Sequence, residues 1–334
     1  MAKPDEKQKK QDLGIFYTPP EVVGFVFDIL NIWKEKEDKE KKRWQSRQPK
    51  AHYPSVIDPA VGEGVFLKGA LESGFTKPNY VFGMDIDETV TKRWEEINLL
   101  TSFGSRADLE NHFFHQNGLL SLDEDKKLPY KTGGLKEFDV AVGNPPYGGI
   151  GVDFESKKTP EVLELLEALE KFDIFSYKKT TNEKQEATEQ SSLFVKSKVP
   201  ARRESVGINE VGKLAQGLPI EILFVERFIQ LVKPNGWIAA IIPDGILSNS
   251  NAHYVRDFIA TKTKVEAIVS LPRETFKQAG TSAKTSILFL KKLPEKEKPS
   301  LDYPVFLASV EKTSKDNFQT VARYYQKFYN YKTL

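Results

Sequence analysis

Three short apolar runs, each closed by a polar residue and a turn, constrain this chain more than any other feature. Ser55-Val56-Ile57-Asp58 leads into Pro59-Ala60-Val61-Gly62-Glu63-Gly64. Tyr80–Met84 leads into Asp85-Ile86-Asp87, and Phe138–Val142 leads into Gly143 and Asn144-Pro145-Pro146-Tyr147. A helix is expected from about Gly64, and another after Asp87. Phe113 marks a third, weaker strand. Further on, Pro219–Val232 reads as a helix, and Gly236–Ile242, Val265–Leu271 and Thr285–Leu290 read as strands. Alternation of this kind predicts an α/β fold with a mostly parallel sheet covered by helices on both faces.

The rest of the chain is assigned around that pattern. Thr18-Pro19-Pro20-Glu21 opens a helix, with Thr18 as N-cap and Glu21 completing a capping box. Residues 1–50 are thus a charged leader and a helix, and 51–292 form the main domain. A polar insert at 155–215, with the low-complexity middle KKTTNEKQEATEQSS, is expected to be mobile. Residues 293–334 form a linker, a short strand (Tyr303–Val310) and an aromatic-rich helix (Phe318–Tyr331).

Composition removes several classes of function. The chain has no cysteine, which excludes a disulfide framework, a cysteine-zinc site and a cysteine nucleophile. Of its four histidines, His112 and His115 are three apart in a strand and point to opposite faces, so no metal site is expected. The charged N-terminus carries no apolar stretch, and no run is long enough to span a membrane. A cytoplasmic location with no membrane partner is the expectation. Net charge is only +2 in 334 residues, so a nucleic-acid surface would need local clusters. Three clusters qualify: Lys41–Arg47; the run holding Lys196, Lys198, Arg202 and Arg203; and Lys284 with Lys291 and Lys292.

The turns carry the chemistry. Ligands of such sheets bind at the carboxyl ends of strands. Gly62 and Gly64 let the backbone approach a ligand, but residue 67 is Leu where a dinucleotide fingerprint needs a third glycine. Asp85, expected just past its strand, suits a ribose diol, because a carboxylate accepts both hydroxyl hydrogens. Asp87 is expected to cap the next helix. The Asn144 side-chain oxygen and the Pro145 carbonyl can accept both hydrogens of a planar amine such as that of adenine. That favours a pyramidal nitrogen with its lone pair free for attack. Pro145 and Pro146 pre-organise the acceptors, and Tyr147 offers a ring for stacking.

These segments occur in a specific order: FYTPPEVVGFV (Phe16–Val26), VIDPAVGEGVFL (Val56–Leu67), VFGMDIDE (Val81–Glu88) and FDVAVGNPPYGG (Phe138–Gly149). The chain resembles the gamma-class N6-adenine DNA methyltransferases of restriction–modification systems, which include Taq-type enzymes and type I modification subunits. The likeness continues through Leu223–Leu247 and Leu271–Lys292. It implies a Rossmann-like S-adenosylmethionine-dependent fold, with a seven-stranded sheet containing one antiparallel strand. The implied reaction is direct methyl transfer from S-adenosylmethionine to an adenine flipped out of double-stranded DNA. The implied roles place Thr18 against the methionine part of the cofactor. Asp58 lies near the methionine amino group, in the loop of Ala60, Gly62 and Gly64, and Asp85 and Ile86 lie at the nucleoside. Asn144, Pro145, Pro146 and Tyr147 hold the target base, and Phe276 stacks on its other face. Where the family has an acid followed by a hydrophobic residue, this chain has Asn117-Gly118, which keeps an amide acceptor for the cofactor's adenine but lacks the bulk.

Glutamine N5 protein methyltransferases and RNA N2-guanine methyltransferases share this kind of turn, and a silent DNA-binding scaffold is the non-enzymatic alternative. The N-terminal segment, the insert and the Phe276 segment favour DNA. Only about 44 residues follow Leu290, too few for a recognition domain of usual size. A separate specificity subunit, or a recognition domain outside this sequence, is therefore expected.

Overall fold

The computed structural model describes residues 18–44 (41–44 as backbone only), 53–87, 89–90, 112–120, 138–147, 159–181, 206–277, 283–295, 297 and 302–332. The leader, most of the low-complexity run, and Lys196, Lys198, Arg202 and Arg203 lie outside the described residues.

The elements, in chain order, are α1 (Pro20–Trp44), β1 (Val56–Asp58), α2 (Val65–Glu72), β2 (Val81–Asp85), β3 (Phe113–His115), β4 (Phe138–Gly143), α3 (Pro160–Leu169), α4 (174–181), α5 (Ile208–Ala215), α6 (Ile220–Leu231), β5 (Val232–Pro243), α7 (Asp244–Ser248), α8 (His253–Lys262), β6 (Thr263–Ser270), β7 (Thr285–Lys292), β8 (Phe306–Ser309) and α9 (Lys315–Lys332). The strands form one sheet in the order β3-β2-β1-β4-β5-β7-β6-β8. Among the described strands, only β7 runs antiparallel to its neighbours. The expected sheet of seven strands gains an eighth, because β8 pairs in parallel with β6 at the edge.

Alternation along each strand divides the core between the two faces. Ile57, Phe82, Met84 and Ala141 point to one side, where α3, α4, α5, α6 and α8 cover them. Val56, Val81, Val140 and Val142 point to the other, under α1, α2 and α9. Phe25 of α1 stacks on Phe318 of α9 with centroids 5.0 Å apart. The Trp33 indole N–H donates to the Tyr325 hydroxyl at 2.5 Å.

Three local expectations are corrected. Thr18 is not the N-cap of α1, since the Pro19 carbonyl accepts from Val22 and Val23 at 3.0 and 3.2 Å. The residue before a proline avoids the helical region, so Pro19 stays outside and Pro20 takes the first helical position. Asp85 is the last residue of β2, paired with His115, rather than the first residue beyond it. The insert is not uniformly polar in structure: Leu165, Leu169, Phe172, Ile174, Phe175, Val211 and Ala215 are buried in the core beside α6. The apolar stripe of α3 has helical spacing, which the average polarity of the stretch hides.

Candidate active site

The parallel strands β1, β2 and β4 place three chemically different turns at one edge of the sheet. Asp58 ends β1 and is buried at 1% exposure. Its Oδ1 accepts the Ala60 N–H at 3.0 Å. Burial pushes its carboxyl up to about 8. Asp85 ends β2, and its Oδ2 accepts the Gly62 N–H at 2.9 Å while its Oδ1 accepts the Asp87 N–H at 3.0 Å. Burial raises this carboxyl as well, against those backbone donors. Gly62 and Gly64 have φ of 47° and 75°, left-handed values that favour glycine. Ile86 is 58% exposed beside Asp85, an apolar surface next to the acid. Asp87 accepts the Thr89 N–H at 2.9 Å, as a cap for the following segment would.

Asn144 follows β4, and its amide Nδ2 donates to the Thr18 hydroxyl at 3.2 Å. These residues are 126 positions apart in sequence, and Thr18 is 2% exposed. The bond uses an amide hydrogen and so orients the Asn144 oxygen as the acceptor of the pair. Tyr147, in the same turn as Asn144, is 1% exposed, and burial raises its phenol. Phe276 meets Tyr147 edge-to-face with centroids 6.5 Å apart and is itself buried. The two expected stacking rings are therefore neighbours, packed against one another.

At the end of β3, Asn117 Oδ1 accepts the Leu119 N–H at 3.0 Å, closing a tight turn. Gly118 is required there sterically, since a Cβ would collide with the Pro59 carbonyl oxygen. The missing bulk is the condition for this turn to lie against the Asp58 loop. Lys284 forms an ion pair with Asp244 at 3.5 Å near the site. Lys291 and Lys292 do not belong with it. In antiparallel β7, Thr285 pairs with Pro243 and Lys291 with Trp237, so six residues of strand, roughly 20 Å, separate them from the site. There, Lys292 donates to the Ile229 and Val232 carbonyls, both at 2.7 Å.

The sequence reading missed the charged residues of α6. Glu226 accepts the N–H groups of Asp173 and Ile174 at 2.7 and 2.8 Å, tying the insert to the domain. Arg227 donates to the carbonyls of Gly118 and Leu120. Adjacent charges inside the otherwise apolar ILFVERFIQLV were the available signal. Glu221, at the start of α6, is buried and raises the Tyr147 phenol further.

The family model described as N-6 DNA Methylase matches residues 5–166 and 210–326, well over half of the chain. The chain belongs to the N-6 DNA methylase family. That family consists of S-adenosylmethionine-dependent enzymes that methylate the N6 amine of adenine in DNA. No curated protein sequence matches this chain. Among solved structures, it is similar to a protein assigned as a class I S-adenosylmethionine-dependent methyltransferase from Listeria monocytogenes (20% identity, TM-score 0.52, 93% of this chain and 71% of that one). It is also similar to the type I restriction-modification methyltransferase subunit from Streptococcus thermophilus (18% identity, TM-score 0.54, 93% and 53%). The M protein of the type I restriction enzyme EcoKI matches at 15% identity and TM-score 0.52, again over 93% and 53%. At these identities the likeness shows the fold alone. The chain spans about half the length of those two type I subunits.

Proposed function

We propose that this chain transfers the methyl group of S-adenosylmethionine to the N6 amine of an adenine flipped out of double-stranded DNA. The observation that carries the proposal is the meeting of Thr18 and Asn144 beside the Asp58 and Asp85 turns. An oriented amide acceptor beside two acids suited to a cofactor supports this reading.

The residues fit that cofactor. A buried carboxyl pushed up to about 8 is a group in want of a cation, and the methionine ammonium supplies one. Asp85 spends one acceptor position of each oxygen on the backbone and keeps others for the ribose hydroxyls. Thr18 lies near the methionine end, Ile86 offers an apolar face to the adenine ring, and Asn117 and Gly118 line its edge. Bound there, S-adenosylmethionine supplies an electrophilic methyl group on sulfur. Asn144 Oδ1 and the Pro145 carbonyl accept the two amine hydrogens, leaving the lone pair aimed at that methyl. Pro146 holds this backbone extended, and Tyr147 and Phe276, edge-to-face with one another before the base enters, part to take it between their rings.

The division at 51–292, with N- and C-terminal segments packed on it, follows this reading. So do the phosphate contacts assigned to Lys284, to Lys196, Lys198, Arg202 and Arg203, a cytoplasmic location, and a specificity subunit or recognition domain as partner. Among the described residues no helix is long and apolar enough to cross a membrane. Labelled S-adenosylmethionine offered in parallel to DNA, RNA and protein tests the reading. Label is expected in DNA as N6-methyladenine. Label in glutamine side chains or in guanine would replace it with one of the alternatives.

A further inference from the structure

Arg227 lies in the middle of α6 at 1% exposure. Its Nε–H donates to the Gly118 carbonyl at 2.7 Å, one terminal nitrogen to the Leu120 carbonyl, and the other to Gln230 Oε1 at 3.2 Å. None of these partners is a carboxylate. A buried guanidinium held only by dipoles is costly, and burial lowers its pKa to about 9. Apolar residues of similar size would join a helix to a sheet at least as well. The fork must therefore be doing something that an apolar side chain cannot.

What it holds is one turn. Gln116 N–H donates to the Asp85 carbonyl, and Leu120 N–H to the Asn117 carbonyl, both at 2.9 Å. Gly118 is wedged between the Pro59 carbonyl and the Phe224 ring. The turn thus lies against both acidic loops of the site. The planar fork reaches two carbonyls of this turn at once, which a point charge cannot do.

We propose that Arg227 is a positioning residue, fixing the 117–120 turn so that Asn117 meets the adenine edge of S-adenosylmethionine and sets its purine selectivity. The inference rests on the cofactor site proposed above. The Leu119 N–H holds the Asn117 amide in one orientation and leaves its oxygen one lone pair, which accepts the adenine amine, whereas hypoxanthine presents an oxygen there and is repelled. Loosening the turn should erase that distinction.

The test titrates the whole chain with S-adenosylhomocysteine and with S-inosylhomocysteine by calorimetry, in wild type, Arg227→Lys and Arg227→Gln, with thermal melts alongside. Wild type is expected to prefer the adenosyl ligand. The variants should lose about 10- to 100-fold in affinity for it and much less for the inosyl ligand, so that the preference collapses. An unchanged preference, whether or not both affinities fall together, overturns the proposal and leaves Arg227 structural. If the Arg227 variants do not fold, Gln230→Leu carries the test, since it frees one arm of the fork while keeping the charge. A preference reduced by about threefold is expected, and an unchanged one is again contrary. A wild type that binds neither ligand overturns the cofactor site itself, and the wild-type titration alone distinguishes that outcome.

Discussion

Asp58 sits almost wholly out of water with a single backbone donor, and its behaviour follows from that. Its carboxyl is raised from an ordinary value near 3.8 to about 8, so the folded chain holds a proton that the unfolded chain releases. Its contribution to stability is therefore greatest at low pH and declines as pH rises from about 4 to about 8. A bound ammonium reverses the preference and expels the proton. Calorimetry of S-adenosylmethionine binding at pH 7 in buffers of different ionisation enthalpy should show release of close to one proton, and Asp58→Asn should show almost none. Equal proton release in both proteins would remove Asp58 from the ammonium site. Asp85→Ala should weaken cofactor binding by about 1–3 kcal/mol, read in the same titration. Should Asp87→Ala carry that loss instead, the ribose carboxylate is misassigned. At this scale, side chains next to turns were legible in the sequence, because Asp58, Asp85 and Asn144 each follow an apolar run directly. Arg227 and Glu226 were not, because a helix-length apolar segment gives no sign of which loop a charge within it will reach.

At the scale of elements, α1 and α9 show how distant segments complete the domain. Tyr325 is fully buried, bonded to Trp33 and edge-on to Phe306 at 5.2 Å. Tyr324, one residue earlier, is 62% exposed. The terminal helix therefore packs on its own domain, with one aromatic stripe inward. Tyr325→Ala should cost roughly 3–5 kcal/mol in chemical denaturation, the range for losing a large buried ring. Tyr324→Ala should cost under about 0.5 kcal/mol, and a reversal of that order would contradict the packing. The strands were legible because their apolar runs are short and bounded by turns. The helices within the insert were overlooked because a polar middle dominated the average, although Leu165, Leu169 and Phe172 keep a helical stripe. That β8 joins the sheet depends on its pairing with β6, a contact that no local pattern encodes.

For the whole molecule, one edge of the sheet gathers six segments, from Thr18 to Phe276, that the sequence spaces across most of its length. The parallel strands β1, β2 and β4 set the positions of the turns, and antiparallel β7 brings Lys284 to the site edge while carrying Lys291 away. Methylation mapped on long random DNA should be weak or unselective with this chain alone and sharpen when a specificity partner is added. Efficient methylation at one defined sequence would place recognition within these residues. On the proposed reading, Asn144 acts on the amine and not on the cofactor. The most direct measurement pairs turnover of labelled methyl into DNA, followed by nucleoside analysis, with calorimetric cofactor affinity, for wild type and Asn144→Ala. The expected result is N6-methyladenine from wild type, a loss of about 100-fold or more in turnover in the variant, and cofactor affinity within about threefold of wild type. Near-normal turnover in Asn144→Ala, or a cofactor affinity that falls in step with turnover, would contradict it.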